Sequence, residues 1–254
     1  MKEHLDIYDA AGLWRGRKDR ELVHRDGDWH RTINVWIVRA TGMLVFQRRS
    51  FDKHTWPGRL SATVGGHFQA GERLHDALRE TSEEVGCAAD PSELIALGTL
   101  PSEDLSRTGE PTGGRDRELR DVLLWPGAPP LAALRFDSAE ITALVEVAAP
   151  DVLALLRGVR DTVPARVAGV DGLVRPQQLQ REDFVPTYAY FDFVARAAVA
   201  HSAGLPLPDI RAVEPSMPLT AAHPDARAWR KWTSERHAGS AAEIGTAASG
   251  SAQR

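Results

Sequence analysis

The chain has 254 residues, long enough for one generous domain or one domain plus an extension, and its 43% hydrophobic and 26% charged residues are ordinary for a soluble globular protein. A formal net charge of -4 and a pI near 6.1 remove any general electrostatic case for nucleic acid or an anionic membrane as partner, so an anionic ligand must be met by local positive charge or by metal. The single cysteine, Cys87, allows no internal disulfide, the Met1-Lys2-Glu3-His4 start has no apolar h-region, and no uncharged apolar run has the length of a membrane span, all of which point to the cytoplasm.

Residues 32–38, rich in β-branched and aromatic side chains, predict the first strand, and residues 43–47 predict its hairpin partner across the turn at 40–42. Residues 60–64 predict a shorter strand that runs into Gly65-Gly66, and a helix is expected over 73–85 with Gly86 as its stop. Further strands are expected at 94–100, 119–125 and 141–147, a short helix at 151–156 behind Pro150, and a longer helix at 188–201 packed on the sheet. Strands, one helix, more strands and then helices argue for an α+β fold and against regular βαβ winding. The expected organisation is a domain over 1–202, an extension over 203–238 and a disordered Gly/Ser/Ala-rich tail over 239–254. Trp229 and Trp232 in the extension are expected to dock, either in cis or across a homodimer interface.

The chemistry lies in Gly65-Gly66-His67-Phe68-Gln69-Ala70-Gly71-Glu72 and the following Arg79-Glu80-Thr81-Ser82-Glu83-Glu84-Val85-Gly86. With Glu80 at zero on a helical wheel of about 100° per residue, Glu84 lies at about +40°, Asp76 at about -40° and Glu83 at about -60°. Four carboxylates thus share one face, and Leu74, Ala77, Leu78, Thr81 and Val85 form the core-facing stripe. Like charges at these spacings cost roughly a few tenths of a kcal/mol per pair. A hard divalent cation with oxygen ligands removes that cost, and adjacent glycines let a backbone carbonyl approach it. Taken alone, the run also reads as a solvated acidic face.

The spacing G-G-x4-G-E followed by R-E-x2-E-E-x-G resembles the box of the Nudix family, which hydrolyses nucleoside diphosphates linked to another moiety. The resemblance implies a Nudix-like α/β/α sandwich with a mixed central sheet, here with a C-terminal helical extension. It implies that Glu83 and Glu84 are the principal ligands of Mg2+, or of Mn2+, and that Glu80 is a further ligand or the base for water. Arg79 would orient a glutamate through a salt bridge, and the carbonyl of Gly65 or Gly66 would be a backbone ligand. The metal would neutralise the diphosphate, position it and acidify an attacking water. The chain departs from the family's box at three places. Six residues instead of seven separate Glu72 from Arg79, which puts the usual role of Glu72 in question; Thr81 replaces an aliphatic residue; and Cys87, in the final aliphatic position, reads as a small hydrophobe.

Asp26-Gly27-Asp28-Trp29-His30-Arg31, Gln47-Arg48-Arg49-Ser50 and Arg117-Glu118-Leu119-Arg120-Asp121-Val122 resemble the branch that includes isopentenyl-diphosphate isomerase, extending the resemblance over residues 4–160. Glu118 is a ligand or base from outside the helix, or else a strand carboxylate paired with Arg117 or Arg120. Arg48, Arg49, Lys53 and His30 are candidates for binding the substrate, with solvation the alternative for the three cations. His24, His30 and His67 are candidates for binding substrate or metal, but a hard-ion oxygen site has little need of imidazole, so they read rather as structural or supporting residues; Trp29 and Trp56 have the chemistry to stack on a base but read as packing. The expected function is hydrolysis of a small-molecule diphosphate. An isomerase would need a protonating cysteine before the box, and a non-catalytic sensor would be expected to lose the three glutamates, which are retained.

Overall fold

The computed structural model describes residues 3–10, 12–53, 55–104 and 116–213. The N-terminal stretch, which has no strong strand pattern, forms a hairpin of β1 (His4–Tyr8) and β2 (Trp14–Asp19), followed by helix α1 (Arg20–Asp26). Asp19 caps that helix by accepting from the Glu21 N–H, and Gly27 closes it in the left-handed region, at φ 69°.

Strands β3 (Trp29–Ile37) and β4 (Met43–Arg49) form where strands were expected, but not as a hairpin. They lie in different sheets, are joined in backbone pairing by an antiparallel bridge between Val38 and Leu44, and otherwise meet through side chains such as Trp36 and Phe46. The reason is that β3 has no free edge: β1 and β6 (Val64–His67) pair along one side, and β8 (Asp116–Trp125) runs parallel along the other. The chain therefore crosses at residues 39–42 into the second layer.

The remaining elements are β5 (Leu60–Ser61), α2 (Leu74–Ala77), α3 (Arg79–Val85), β7 (Ile95–Asp104), β9 (Ile141–Ala148), α4 (Ala149–Leu156), β10 (Val163–Gly169), β11 (Val174–Leu179) and α5 (Tyr188–Ser202). The first sheet has the order β2-β1-β3-β8-β7 with β6 on β3, and the second has the order β11-β10-β9-β4-β5. The parallel β3–β8 pair among antiparallel neighbours makes the first sheet mixed. The hairpin of β10 and β11 had no sequence expectation; its exposed residues and the prolines Pro164 and Pro176 blur the alternation.

Two apolar cores bind the layers. Ile33, Val35 and Val64 pack with Ala77, Leu78 and Val85 of α2 and α3. On the other side Trp36, Phe46 and Val122 pack with α4 and α5, where Trp36, Phe46, Phe184 and Phe191 meet edge to face. The result is the expected α+β sandwich, with its strands divided between two sheets. Ile210 and Val213 are buried in the α5 core, so the segment after residue 203 begins by packing on the domain. Residues 214–254, which contain Trp229, Trp232 and the Gly/Ser/Ala-rich stretch, lie outside the described residues. Among the described residues no helix is long and apolar enough to cross a membrane.

Candidate active site

Strand β6 includes the double glycine and lies beside the glutamate helix. Alternation along the strand decides what each residue faces. Gly66 pairs with Ile33 on the side of α3, and a Cβ built on Gly66 would lie 2.0 Å from Glu80 Cδ. Glu80 is therefore pressed onto bare backbone, an approach that only glycine permits. Its neighbour Gly65 donates its N–H to Glu84 Oε2 at 2.9 Å, and Gln47 of β4 donates Nε2 to the same oxygen at 3.4 Å.

Arg79 gathers the other carboxylates. Its Nε donates to Glu72 Oε1 at 2.9 Å, its Nη2 to the His67 carbonyl at 3.0 Å, and its Nη1 to Glu80 Oε1 and to Glu83 Oε2, the last at 3.2 Å. Burial alone would lower its pKa, but Glu72 and Glu80 outweigh that and hold the guanidinium above its ordinary range. Burial raises Glu80 despite Arg79, and it pushes Glu84 up to about 8, the Gly65 N–H only partly offsetting it. Glu83 is exposed.

The helix expected over 73–85 is broken at Leu78 into α2 and α3. The break falls between Glu72 and Arg79, where the chain is one residue short, and it leaves those two side chains in contact; Glu72 thus keeps a place in the site. Thr81 stabilises the break. It is fully buried, its hydroxyl donates to the Leu78 carbonyl at 2.7 Å, and it accepts from the Ala89 N–H at 3.0 Å. The expected fourth carboxylate, Asp76, belongs to α2 and accepts from the Arg73 N–H at 2.9 Å, so the shared face of α3 has three carboxylates, all glutamates, rather than four. Thr81→Val is expected to destabilise the protein by about 1–3 kcal/mol, since it leaves buried hydrogen-bonding groups unmet. Urea unfolding measures this, and Thr81→Ser should recover most of the loss. Gly86 ends α3 at φ 69° against the Arg135 carbonyl, and Cys87 beyond it is partly buried against the same core.

The expected substrate-binding cations lie apart from one another. Arg48 points away from Gln47 and the glutamates; it donates to the Gly58 carbonyl at 3.2 Å and lies 3.9 Å from Asp183. Arg49 ties down the loop after β4 by donating to Thr55 O at 2.9 Å and Thr55 Oγ1 at 3.1 Å. Lys53 pairs with Glu140, and the two opposite charges act on Glu84 in opposite directions, so of the expected substrate-binding cations Lys53 is the one whose charge reaches the glutamates. Trp29 is buried, and Trp56 packs on the α5 core at φ 50°, the sole positive φ of a non-glycine among the described residues.

The opposite face of the same strands carries a second cluster. His30, Thr32 and Asn34 alternate onto it from β3, and the register places Glu118 beside His30 and Arg120 beside Thr32. The ligand atoms of His24, His30 and His67 lie within 4.8 Å of one another, as do those of His30, Asp116 and Glu118. His24 Nδ1 bonds the Arg20 carbonyl at 2.8 Å and His30 Nδ1 bonds the Asp28 carbonyl at 3.1 Å. Both rings are thereby oriented with Nε2 turned to the centre. His24 Nε2 and His67 Nε2 are 3.2 Å apart, a separation that calls for a shared proton or a cation, and the buried His30 Nε2 has no hydrogen-bond partner among the described residues. Burial works to raise Glu118, but Arg120 and His30 outweigh it and hold the carboxyl below its ordinary range.

Of the two sequence readings of Glu118, the pairing with Arg120 is present, while the carboxylate stands with His30 and Asp116 on the face opposite the glutamate helix and not beside the glutamates. Asp116 had no sequence expectation. Its signal is the two-residue spacing to Glu118, which puts both on one strand face.

The family model for the NUDIX domain matches residues 28–165. An uncharacterised Nudix hydrolase of Clostridium acetobutylicum is 31% identical over 209 residues, covering 77% of this chain and 97% of that protein. Nudix hydrolase 3 of Arabidopsis thaliana is 46% identical over 150 residues, 56% of this chain but only 19% of that protein. An isopentenyl-diphosphate Delta-isomerase of Shigella boydii serotype 18 is 35% identical over 95 residues, 37% of this chain and 52% of that protein. With the match over residues 28–165 and the near full-length similarity to the Clostridium protein, the chain is a member of the Nudix hydrolase family.

Proposed function

We propose that the protein is a Mg2+-dependent hydrolase, with Mn2+ as a substitute, that cleaves the diphosphate linkage of a small molecule such as a nucleoside diphosphate derivative, and that it works in the cytoplasm. The observation that carries this reading is the placement of Glu80 and Glu84 against Gly66 and Gly65, which gathers carboxylates along a strand bare of side chains. That donor set fits a hard cation. Glu84 receives only two N–H contacts, and its burial favours a proton unless a cation replaces it. Glu80, Glu83 and Glu84 would hold the metal with the Gly66 carbonyl. A divalent ion bound there supplies charge neutralisation for the diphosphate oxygens.

Arg79 keeps Glu80 and Glu83 oriented and ties the helix to the His67 carbonyl. Lys53, whose charge acts on Glu84, would meet the substrate's phosphates by exchanging its pairing with Glu140. On the other face, three imidazoles and two carboxylates suit a borderline transition metal better than Mg2+, so we assign that cluster to a second ion.

The test is release of phosphate or monophosphate from nucleotide sugars, dinucleotides and nucleoside diphosphates with Mg2+, against a Glu84→Gln control. Release that the control lacks supports the reading; no release from any of them above the control sinks it. The isomerase relative favours a second reading, conversion of isopentenyl diphosphate to its isomer. Against it, Cys87 follows α3 and packs on the glutamate side. Isomer formation in the same assay would replace the first reading with the second.

A further inference from the structure

Helix α5 lies beyond residue 165, where the family match ends, yet it reaches the histidine face through Tyr190. Tyr190 is 2% exposed. Its hydroxyl donates to Asn34 Oδ1 at 3.0 Å and accepts from Trp36 Nε1 at 2.8 Å, so β3 engages the phenol both as donor and as acceptor. The ring held in this way lies under the guanidinium of Arg120, 5.2 Å from centroid to Cζ. Arg120 Nη2 in turn donates to Glu118 Oε2. The contacts Asn34, Tyr190, Arg120 and Glu118 thus run along one face and end on a carboxylate grouped with His30 and Asp116.

Packing alone does not account for this arrangement. A guanidinium withdrawn from water is costly unless its donors are used, and Arg120 Nε is buried with no hydrogen-bond partner among the described residues. A hydrophobic residue would fill the same space with no such cost. The charge has a use if it fixes Glu118: by engaging Oε2, Arg120 leaves the other oxygen for a cation.

We propose that Tyr190 and Arg120 are positioning residues of the histidine centre, with the Tyr190 ring fixing Arg120 and Arg120 fixing the direction in which Glu118 presents its carboxylate. Helix α5 is then part of the centre and not only a cover for the core. This rests on the reading that the histidine cluster binds a transition metal.

Co2+ is the probe, added to the full chain and followed by its visible ligand-field absorption and by chelator competition. His30→Ala identifies the part of the spectrum that belongs to the centre. Arg120→Met and Tyr190→Leu are expected to weaken that binding by roughly 10- to 100-fold, the effect usual for groups that orient metal ligands, and to shift the band. Tyr190→Phe keeps the ring under Arg120 but loses the two hydrogen bonds that hold it, so its loss is expected to be smaller than that of Tyr190→Leu, and Arg120→Lys is expected to recover part of the affinity. Circular dichroism checks that each variant is folded. If the wild-type chain shows no His30-dependent Co2+ band, the metal reading fails and this proposal with it. If the band is present and the folded Arg120→Met and Tyr190→Leu variants match wild type in affinity and spectrum, the proposal alone is overturned. Should Arg120→Met not fold, Tyr190→Leu and Arg120→Lys decide, and an unchanged band in both overturns it.

Discussion

Glu84→Gln is expected to lower kcat by about two to three orders of magnitude and, at the same time, to make the metal-free protein more stable above pH 8. The first effect follows from losing a ligand of a metal whose electrostatic contribution is several kcal/mol, at about 1.4 kcal/mol per decade of rate. The second comes from the same burial. In the folded chain the Glu84 carboxyl is pushed up to about 8, whereas unfolded it titrates near 4.5. Between those values the native state holds a proton that the unfolded state has released, so stability falls as pH rises from about 4.5 to 8 and levels off beyond. Glutamine cannot ionise, and its carbonyl can still accept from Gly65 and Gln47. Melting in EDTA from pH 5 to 9 should therefore decline less for the variant than for wild type, by an amount worth a few kcal/mol at the alkaline end. Mg2+ should restore wild type and not the variant. Parallel melting curves for the two proteins would mean that Glu84 ionises freely, and an unimpaired kcat would remove it from the metal site.

The glutamate helix was legible because its evidence is local. The spacing of Glu80, Glu83 and Glu84, the apolar stripe through Ala77, Leu78 and Val85, and Gly86 at the end all lie within a few turns. The break at Leu78 had its own sign in the missing residue and in Thr81, since a hydroxyl at an aliphatic position has to bond something nearby. What was not legible depended on distant pairing. The expected hairpin of β3 and β4 failed because β1 and β6 pair along one edge of β3 and the far-downstream β8 along the other. The histidine cluster was hidden for the same reason. His24, His30 and His67 were each visible, but the meeting of His30 and His67 requires β6 to pair with β3 in one register, and Asp116 and Glu118 join His30 only through the register of β8 on β3. Once those registers are known, simple alternation separates the faces, with Gly66 and Ile33 toward the glutamates and Gly65, Asn34 and His67 toward the imidazoles. The cations illustrate the opposite limit. Arg48 and Arg49 had the right chemistry for phosphate, but strand alternation and the loop after β4 direct them to carbonyls of their own neighbourhood.

That division of faces yields the other large effect, a contrast between adjacent glycines. Gly66→Ala would set a methyl 2.0 Å from Glu80 Cδ and 2.4 Å from Glu80 Oε1, so one of them must move. The strand at Gly66 is paired with Ile33 and cannot yield without breaking its ladder, whereas Glu80 can rotate away. Rotation costs the contact with Arg79 and takes Glu80 off the backbone on which the metal site depends. Activity is expected to fall by about 100-fold or more, as for loss of a metal-orienting contact at the upper end of its range, and the Mg2+ concentration for half-maximal rate should rise. Gly65→Ala meets only Asn34 Nδ2 at 3.1 Å, on the histidine side, and a few tenths of an ångström of movement there relieves it. Its hydrolysis rate should stay within about threefold of wild type, because the Gly65 N–H to Glu84 is a backbone bond that alanine retains. Steady-state kinetics over a range of Mg2+, with melting curves to confirm that both variants fold, measures the contrast. Equal losses in the two variants would show that any side chain on β6 disrupts the strand. A Gly66→Ala enzyme with normal Mg2+ dependence would show that Glu80 is dispensable, leaving Glu83 and Glu84 to hold the ion.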